Sequence, residues 1–281
     1  MIKGKLSICP TPIGNLEDIT LRVINTLKAV DLVAAEDTRH TLKLLNHYQI
    51  QKPLTSYHEH NKETKGLALV EKMQHGQHIA LVSDAGMPGI SDPGTDLVKL
   101  CIAYDIPLEV LPGATAFTTA LAASGLSTDK FAFEGFLDRD KKSRKKRLEI
   151  ISREDRTLIF YESPHRLIPM LQDTVEILGD RRMVLARELT KIYEEIKRGT
   201  IKEIISTYQE NPPRGEFVIL IEGISTEERE EQGNEGWKSL SVIEHLKLYL
   251  EEGMDKKEAV KKVAKERNIP KREVYEFSID L

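Results

Sequence analysis

The sequence predicts an α/β protein made of two successive strand-and-helix lobes, with a helical appendage behind them. Three observations carry that expectation. Short apolar runs alternate with amphipathic segments through residue 223, and strand–helix alternation of this kind indicates a mainly parallel sheet. The apolar runs end in loops dense in glycine, proline and charged residues, the usual place for a ligand at the carboxyl end of such a sheet. An acidic, polar stretch at 225–236 then reads as a linker before three amphipathic segments. The expected domains are 1–115, 116–224 and a tail at 237–281.

The first strand is expected at 5–9, ending in Pro10-Thr11-Pro12-Ile13-Gly14-Asn15, a turn forced by two prolines and a glycine. Asn15 or Asp18 is placed to cap a helix over about 19–27, with Leu21, Ile24 and Leu27 on one face. A second strand at 31–35 runs into Glu36, Asp37, Thr38, Arg39 and His40. Polar groups clustered at a strand end form a candidate site; the plainer alternative is a helix N-terminus capped by Asp37 or Thr38. A helix at 41–47, a strand at 53–57 and a helix at 61–74 follow.

The organising stretch is ALVSDAGMPGISDPG at 80–94. A buried strand breaks there into a loop with Gly86, Gly89, Gly94, Pro88, Pro93, Asp84 and Asp92. Glycine lets backbone approach a ligand and proline freezes the turn, so this loop is the leading ligand site. A helix at 95–103 and a strand at 108–111 lead to Pro112 and Gly113, which open a small-residue helix at 116–123.

The second lobe starts with an aromatic-alternating strand at 131–136. Directly after it lies the densest cationic run in the chain, including Lys141, Lys142, Arg144, Lys145, Lys146 and Arg147. Such a run is either a solvated helix face or a phosphate-contacting surface. A strand at 157–161 ends in Glu162-Ser163-Pro164-His165-Arg166, where Arg166 is placed to bind phosphate or to pair with Glu162. A helix at 173–178, a strand at 183–186, a hairpin or loop, a helix at 201–208 and a strand at 216–222 complete the lobe. The tail segments at 241–251, 256–266 and from Pro270 onward suggest a helix-turn-helix-like module, suited to nucleic acid or to a dimer partner.

Composition excludes several classes. A net charge of -4 leaves no global basic signature, so any RNA site is a local patch. Cys9 and Cys101 lack metal-ligand spacing and suit reduced, buried thiols, and the scattered histidines read as surface residues, so no metal is expected. No apolar run reaches a membrane span and no signal-type segment opens the chain, which points to a cytoplasmic protein without a membrane partner. Neither G-x-G-x-x-G nor a P-loop pattern occurs, which disfavours a nicotinamide or ATP enzyme.

Seven blocks, in order, carry a more specific signal: PTPIGNLEDIT (10–20), AEDTR (35–39), SDAGMPGISDPG (83–94), PGATA (112–116), FEGFL (133–137), FYESPHRL (160–167) and ARELTK (186–191). Together they resemble the small-subunit ribosomal RNA 2′-O-ribose methyltransferases that act on a decoding-centre cytidine (cytidine 1402). Met87 departs from a common threonine and Asp138 from a common proline. The resemblance implies a two-domain tetrapyrrole-methylase-like fold, of the class III methyltransferases, with S-adenosylmethionine held between the two α/β domains. It implies cofactor roles for Pro12, Asp84, Gly86, Pro88, Ile90, Pro112 and Gly113. It further implies 16S ribosomal RNA within the small subunit as partner, and a homodimer. For the chemistry, Asp37 or Glu36 is expected to accept the proton of the ribose hydroxyl, with Arg39 orienting the sugar-phosphate; Glu162, His165 and Glu188 are alternates. The two rival expectations are a tetrapyrrole ring-carbon methyltransferase of the same fold and a non-enzymatic ribosome-associated RNA-binding protein.

Overall fold

The computed structural model describes residues 3–208, 212–225, 240–251, 253–279 and 281. Residues Met1–Glu222 form one unit and Gly223–Leu281 a second. The linker expected at 225–236 falls, beyond Ser225, outside the described residues.

The first sheet grows around β4 (Ile79–Val82), buried at every position. Its side chains alternate: Ile79 and Leu81 join one core, Ala80 and Val82 another. A strand buried on both faces is what a parallel sheet covered by helices requires. Around it lie β1 (Leu6–Ile8), β2 (Leu32–Ala35), β3 (Leu54–Ser56) and β5 (Leu108–Val110), in the order β3-β2-β4-β1-β5 and parallel throughout. The helices between them are α1 (Leu21–Ala29), α2 (Thr38–His47), α3 (Lys62–Gln74) and α4 (Gly94–Ala103). Because the strands are parallel, the loops after β1, β2, β4 and β5 all leave the same edge of the sheet.

The entry to α1 differs from the sequence expectation. Asn15 caps only a 3-10 turn, Leu16–Asp18, and the α-helix starts later, where the Thr20 hydroxyl accepts from Val23 N–H at 3.2 Å. Its buried face is Val23 and Leu27, while Leu21 is 79% exposed.

The second sheet departs from the expectation of a mainly parallel arrangement. It contains β6 (Phe131–Phe136), β7 (Thr157–Glu162), β8 (Arg182–Arg187), β9 (Glu195–Thr200) and β10 (Phe217–Ile221), in the order β6-β7-β10-β8-β9. Only β6 and β7 are parallel; β10 is antiparallel to both neighbours, and β8–β9 is an antiparallel pair. A buried strand reads as an apolar run in either direction, so its pairing sense is invisible to periodicity. α6 (Lys141–Ile150), α7 (Pro164–Leu178) and α8 (Ile201–Thr207) supply Leu148, Leu167, Leu171 and Ile204 to the core on one face. On the other face α5 (Ala116–Ser124) packs Ala120 and Leu121 against Ile159, Val184 and Val218. Ile13, from the loop after β1, enters this same core and so ties the two sheets together.

In the second unit, helices Val242–Glu251, Lys256–Arg267 and Lys271–Ser278 enclose a small core of Leu246, Tyr249, Val260, Val263 and Val274. Asp255 caps the middle helix, accepting from Lys257 and Glu258 N–H, and Asn268 ends it in the left-handed region. No helix among the described residues is long and apolar enough to cross a membrane.

Candidate active site

The loops at the carboxyl edge of the first sheet are stapled to one another. Thr11 and Gly86 exchange both backbone hydrogen bonds, at 2.9 and 3.0 Å, and Thr11 Oγ1 donates to the Ser83 carbonyl at 3.1 Å. Gly86 holds a φ of +81° that side-chain-bearing residues rarely adopt. A Cβ on Gly113 would stand 2.7 Å from Pro10 Cβ, so the loops after β1 and β5 touch where only glycine fits. Asp92 organises the far end of the long loop, accepting from Gly89 N–H at 2.8 Å and Gly94 N–H at 2.7 Å. Between these anchors Ser91 is held at a φ of +67°, a strained conformation of the kind that collects at functional sites.

These loops form one wall of a cavity of about 560 Å³, within the range of small-ligand clefts. The first lobe contributes Ile13, Glu36, Ser83, Asp84, Gly86, Met87, Ile90 and Asp92. The second lobe contributes Phe136, Tyr161, Glu162, Ser163, Ala186, Glu188, Lys191 and Val218 among others. Of the residues expected to hold a cofactor, Asp84, Gly86 and Ile90 line the cavity, whereas Pro12, Pro88, Pro112 and Gly113 lie outside its lining.

The carboxylates of the AEDTR block separate sharply. Glu36 lines the cavity, and burial above all, with Asp84 and Asp92 adding repulsion, raises its pKa above the ordinary carboxylate value. Asp37 does not line it. Its Oδ1 accepts from Arg39 N–H at 2.8 Å, capping α2, and its Oδ2 accepts from Arg39 Nη2 at 2.8 Å. That contact with Arg39 holds the Asp37 carboxyl down at about 2, far from a useful base at neutral pH. Asp37 and Arg39 thus pair with each other outside the cavity lining, and the plainer capping role of Asp37 is present in the structure. Asp37 contributes through its backbone, donating its N–H to Asp84 Oδ1 at 3.0 Å.

Among the alternates, Glu162 is buried, with Oε1 accepting from Ser163 N–H at 2.8 Å and Oε2 lying 3.2 Å from Arg166 Nη2. His165 is exposed and outside the lining. Glu188 Oε1 accepts from Lys191 Nζ and from Glu216 N–H, both at 2.9 Å. Burial opposes ionisation of Glu188, yet Lys191 and the Glu216 amide bring its pKa below the ordinary value. Glu188 and Thr190 sit at φ +49° and +65°, so this loop is also strained. Phe136, Tyr161 and Lys191 also line the cavity; the sequence assigned them no role of their own, though each falls inside one of the seven blocks, FEGFL, FYESPHRL and ARELTK.

The cationic run divides likewise. Arg144 is 6% exposed, and its Nε and Nη2 donate to Asp173 Oδ2 at 2.8 and 2.6 Å. Arg144, expected among the RNA-facing cations, is instead a buried clamp on Asp173. Lys145 pairs with Glu176 at 2.6 Å and Arg147 with Glu134 at 2.7 Å, while Lys141 lies 3.8 Å from Asp173. Arg166 donates to the Leu137 carbonyl at 2.5 Å, bracing the loop after β6. Lys142 and Lys146, one helical turn apart and exposed, have no ion pair among the described residues. The described residues hold no group of three metal-ligating side chains, and both cysteines are buried and free, their pKa pushed by burial to about 12.

Residues 5–205 match the tetrapyrrole (corrin/porphyrin) methylase family. A Bacillus subtilis relative named ribosomal RNA small subunit methyltransferase I is 52% identical, over 97% of this chain and 93% of its own. A relative of the same name from Escherichia coli O157:H7 is 44% identical over 99% of this chain and 96% of its own. Among solved structures, a Thermus thermophilus uroporphyrin-III C-methyltransferase complexed with S-adenosylhomocysteine superposes with a TM-score of 0.56 at 18% identity, over 77% of this chain and 97% of that one. A diphthine synthase superposes with a TM-score of 0.61 at 13% identity, over 78% of this chain and 90% of that one. At these identities the structures are alike in fold.

Proposed function

Because the chain belongs to the ribosomal RNA small subunit methyltransferase I family, within the tetrapyrrole (corrin/porphyrin) methylases, we propose that it methylates the ribose 2′-hydroxyl of a decoding-centre cytidine in 16S ribosomal RNA, with S-adenosylmethionine as donor. The observation that carries the reading is the placement of Glu36 in the cavity beside the 83–94 loop. The site fits the donor in size and charge. Gly86 presents bare backbone to the cavity, and Glu36, Asp84 and Asp92 give one wall a negative character suited to a sulfonium and an ammonium group. When bound, the donor supplies a methyl group already activated by its positively charged sulfur.

The protein's own contribution is alignment and proton removal. A ribose hydroxyl is a weak nucleophile and must lose its proton during attack. Glu36 is the group for that task, since burial and neighbouring carboxylates raise its basicity while Asp37 is tied to Arg39. The stapled loops hold the wall rigid, and in an in-line displacement such rigidity supplies much of the acceleration. Lys142 and Lys146 supply sequence-independent phosphate contacts. Mass mapping of 16S ribosomal RNA from a strain lacking the gene tests the assignment. One missing methyl on a decoding-centre cytidine ribose, restored by the wild-type gene, is the expected result; an unchanged methylation map overturns it.

A further inference from the structure

Strand β6 is irregular between Phe133 and Gly135. Phe133 pairs with Ile159 and Gly135 with the next residue, Phe160, so Glu134 is an extra residue bulged out of the ladder. Gly135 makes the bulge feasible with a φ of +65°. The bulged Glu134 turns to α6, where Arg147 Nε and Nη2 donate to its carboxylate at 2.7 and 3.0 Å. The next side chain, Phe136, is thereby re-aimed: it lines the cavity and is nevertheless 55% exposed.

A large aromatic ring left open at a cleft is held there by an aromatic series. Phe136 lies against Tyr161, with ring centroids 5.5 Å apart; Tyr161 meets Phe133 edge-on at 5.1 Å, and Phe133 stacks on Phe117 at 4.6 Å. Tyr161 is fixed at its other end, its hydroxyl accepting from Phe117 N–H at 3.2 Å. Tyr161 therefore backs Phe136 while leaving much of the ring uncovered. A Cβ on Gly135 would stand 3.4 Å from Ser91 Oγ, so this aromatic end of β6 abuts the strained loop of the opposite wall. Five residues on, α6 begins, with Lys142 and Lys146 exposed and without an ion pair among the described residues.

We infer that Phe136 is the platform on which the base of the target nucleotide stacks, so that the site takes a nucleotide splayed out of its RNA strand. The inference rests on the RNA-methylation reading. Proteins that act on unpaired RNA nucleotides hold the base by its π-face, and such contacts tolerate the crowded edges of structured RNA. Here the ring serves the base and the proton acceptor Glu36 the ribose hydroxyl of the same nucleotide, both lining the one cavity.

The test compares wild type with Phe136→Leu and Phe136→Trp. Methyl transfer from labelled donor to small ribosomal subunits lacking the modification is measured, with cofactor affinity taken separately by calorimetry. Leucine preserves apolar bulk but removes the π-face. The expected result is a rise of about tenfold in KM for subunits with Phe136→Leu, recovery to within about twofold with Phe136→Trp, and unchanged cofactor affinity in both. A leucine variant indistinguishable from wild type overturns the inference. So does a tenfold loss of cofactor affinity with an unchanged KM for subunits, which would assign the ring to the donor's adenine. If wild type itself transfers no methyl to these subunits, the functional reading fails and the inference falls with it; if wild type is active, only the platform is at stake.

Discussion

Replacing Arg144 by methionine separates a structural cation from the RNA-facing ones around it. The guanidinium makes two charge-assisted bonds to Asp173 Oδ2 and donates Nη1 to the carbonyls of Asp138 and Arg139, at 3.3 and 3.2 Å. Methionine keeps much of the volume and deletes all four donations, leaving the Asp173 carboxylate buried. Stripping one partner from a buried ion pair costs ~3–5 kcal/mol. Lys141 and Lys145 stay within 3.8 and 3.9 Å of Asp173 Oδ1 and offset part of that, which favours the lower end, about 3 kcal/mol. At ~2–4 °C per kcal/mol for a unit of this size, the melting temperature falls by about 6–12 °C. Adding Asp173→Leu removes the orphaned charge and recovers most of the loss. Thermal unfolding followed by circular dichroism reads both effects, and filter binding across a salt series reads the RNA contact. Arg144→Met should leave the salt slope unchanged, while Lys142→Glu with Lys146→Glu should reduce it by about two. An Arg144 variant that melts within 1–2 °C of wild type yet flattens the salt slope would refute the reasoning.

Other outcomes follow from the same geometry. Glu36→Gln should lower kcat by about 10²–10⁴ with cofactor affinity retained, measured by single-turnover transfer and calorimetry. Because its folded pKa is raised, Glu36 holds its proton more tightly in the native state, so its ionisation costs stability as pH rises above the unfolded value; the glutamine variant should be the more stable protein at neutral pH. Gly113→Ala forces a Cβ against Pro10 at 2.7 Å and should cost ~1–3 kcal/mol while weakening donor binding, read by denaturant titration and calorimetry. In the C-terminal unit, burial, Arg267 and Lys262 depress the His245 pKa to about 4, so stability present above pH ~6.5 is lost as pH falls toward 4; His245→Gln should flatten that acid transition.

Much of the fold was legible because its signals are local. The run at 79–82 is apolar at every position, and the helices carry periodic apolar faces. The pairing sense of β10 was not legible, since FVILI is as apolar as any parallel strand and antiparallel pairing depends on where α8 delivers the chain. In the site, the glycine–proline loop was visible, yet the AEDTR block could not reveal which of two adjacent carboxylates turns inward. The cationic run did hold an unused signal. Arg144, Leu148 and Ile151 fall at helical spacing on one buried face, which marks the arginine as inward-facing. Phe136 escaped notice because the bulge at Glu134 shifts the inside-outside alternation by one residue, a feature set by pairing with β7.

A crystal structure of the protein grown with S-adenosylmethionine measures the point on which everything else depends. The account predicts electron density for the donor inside the cavity, against Asp84 and Gly86, with its methyl-bearing sulfur on the side of Glu36. Density lodged elsewhere, away from the 83–94 loop, would contradict it.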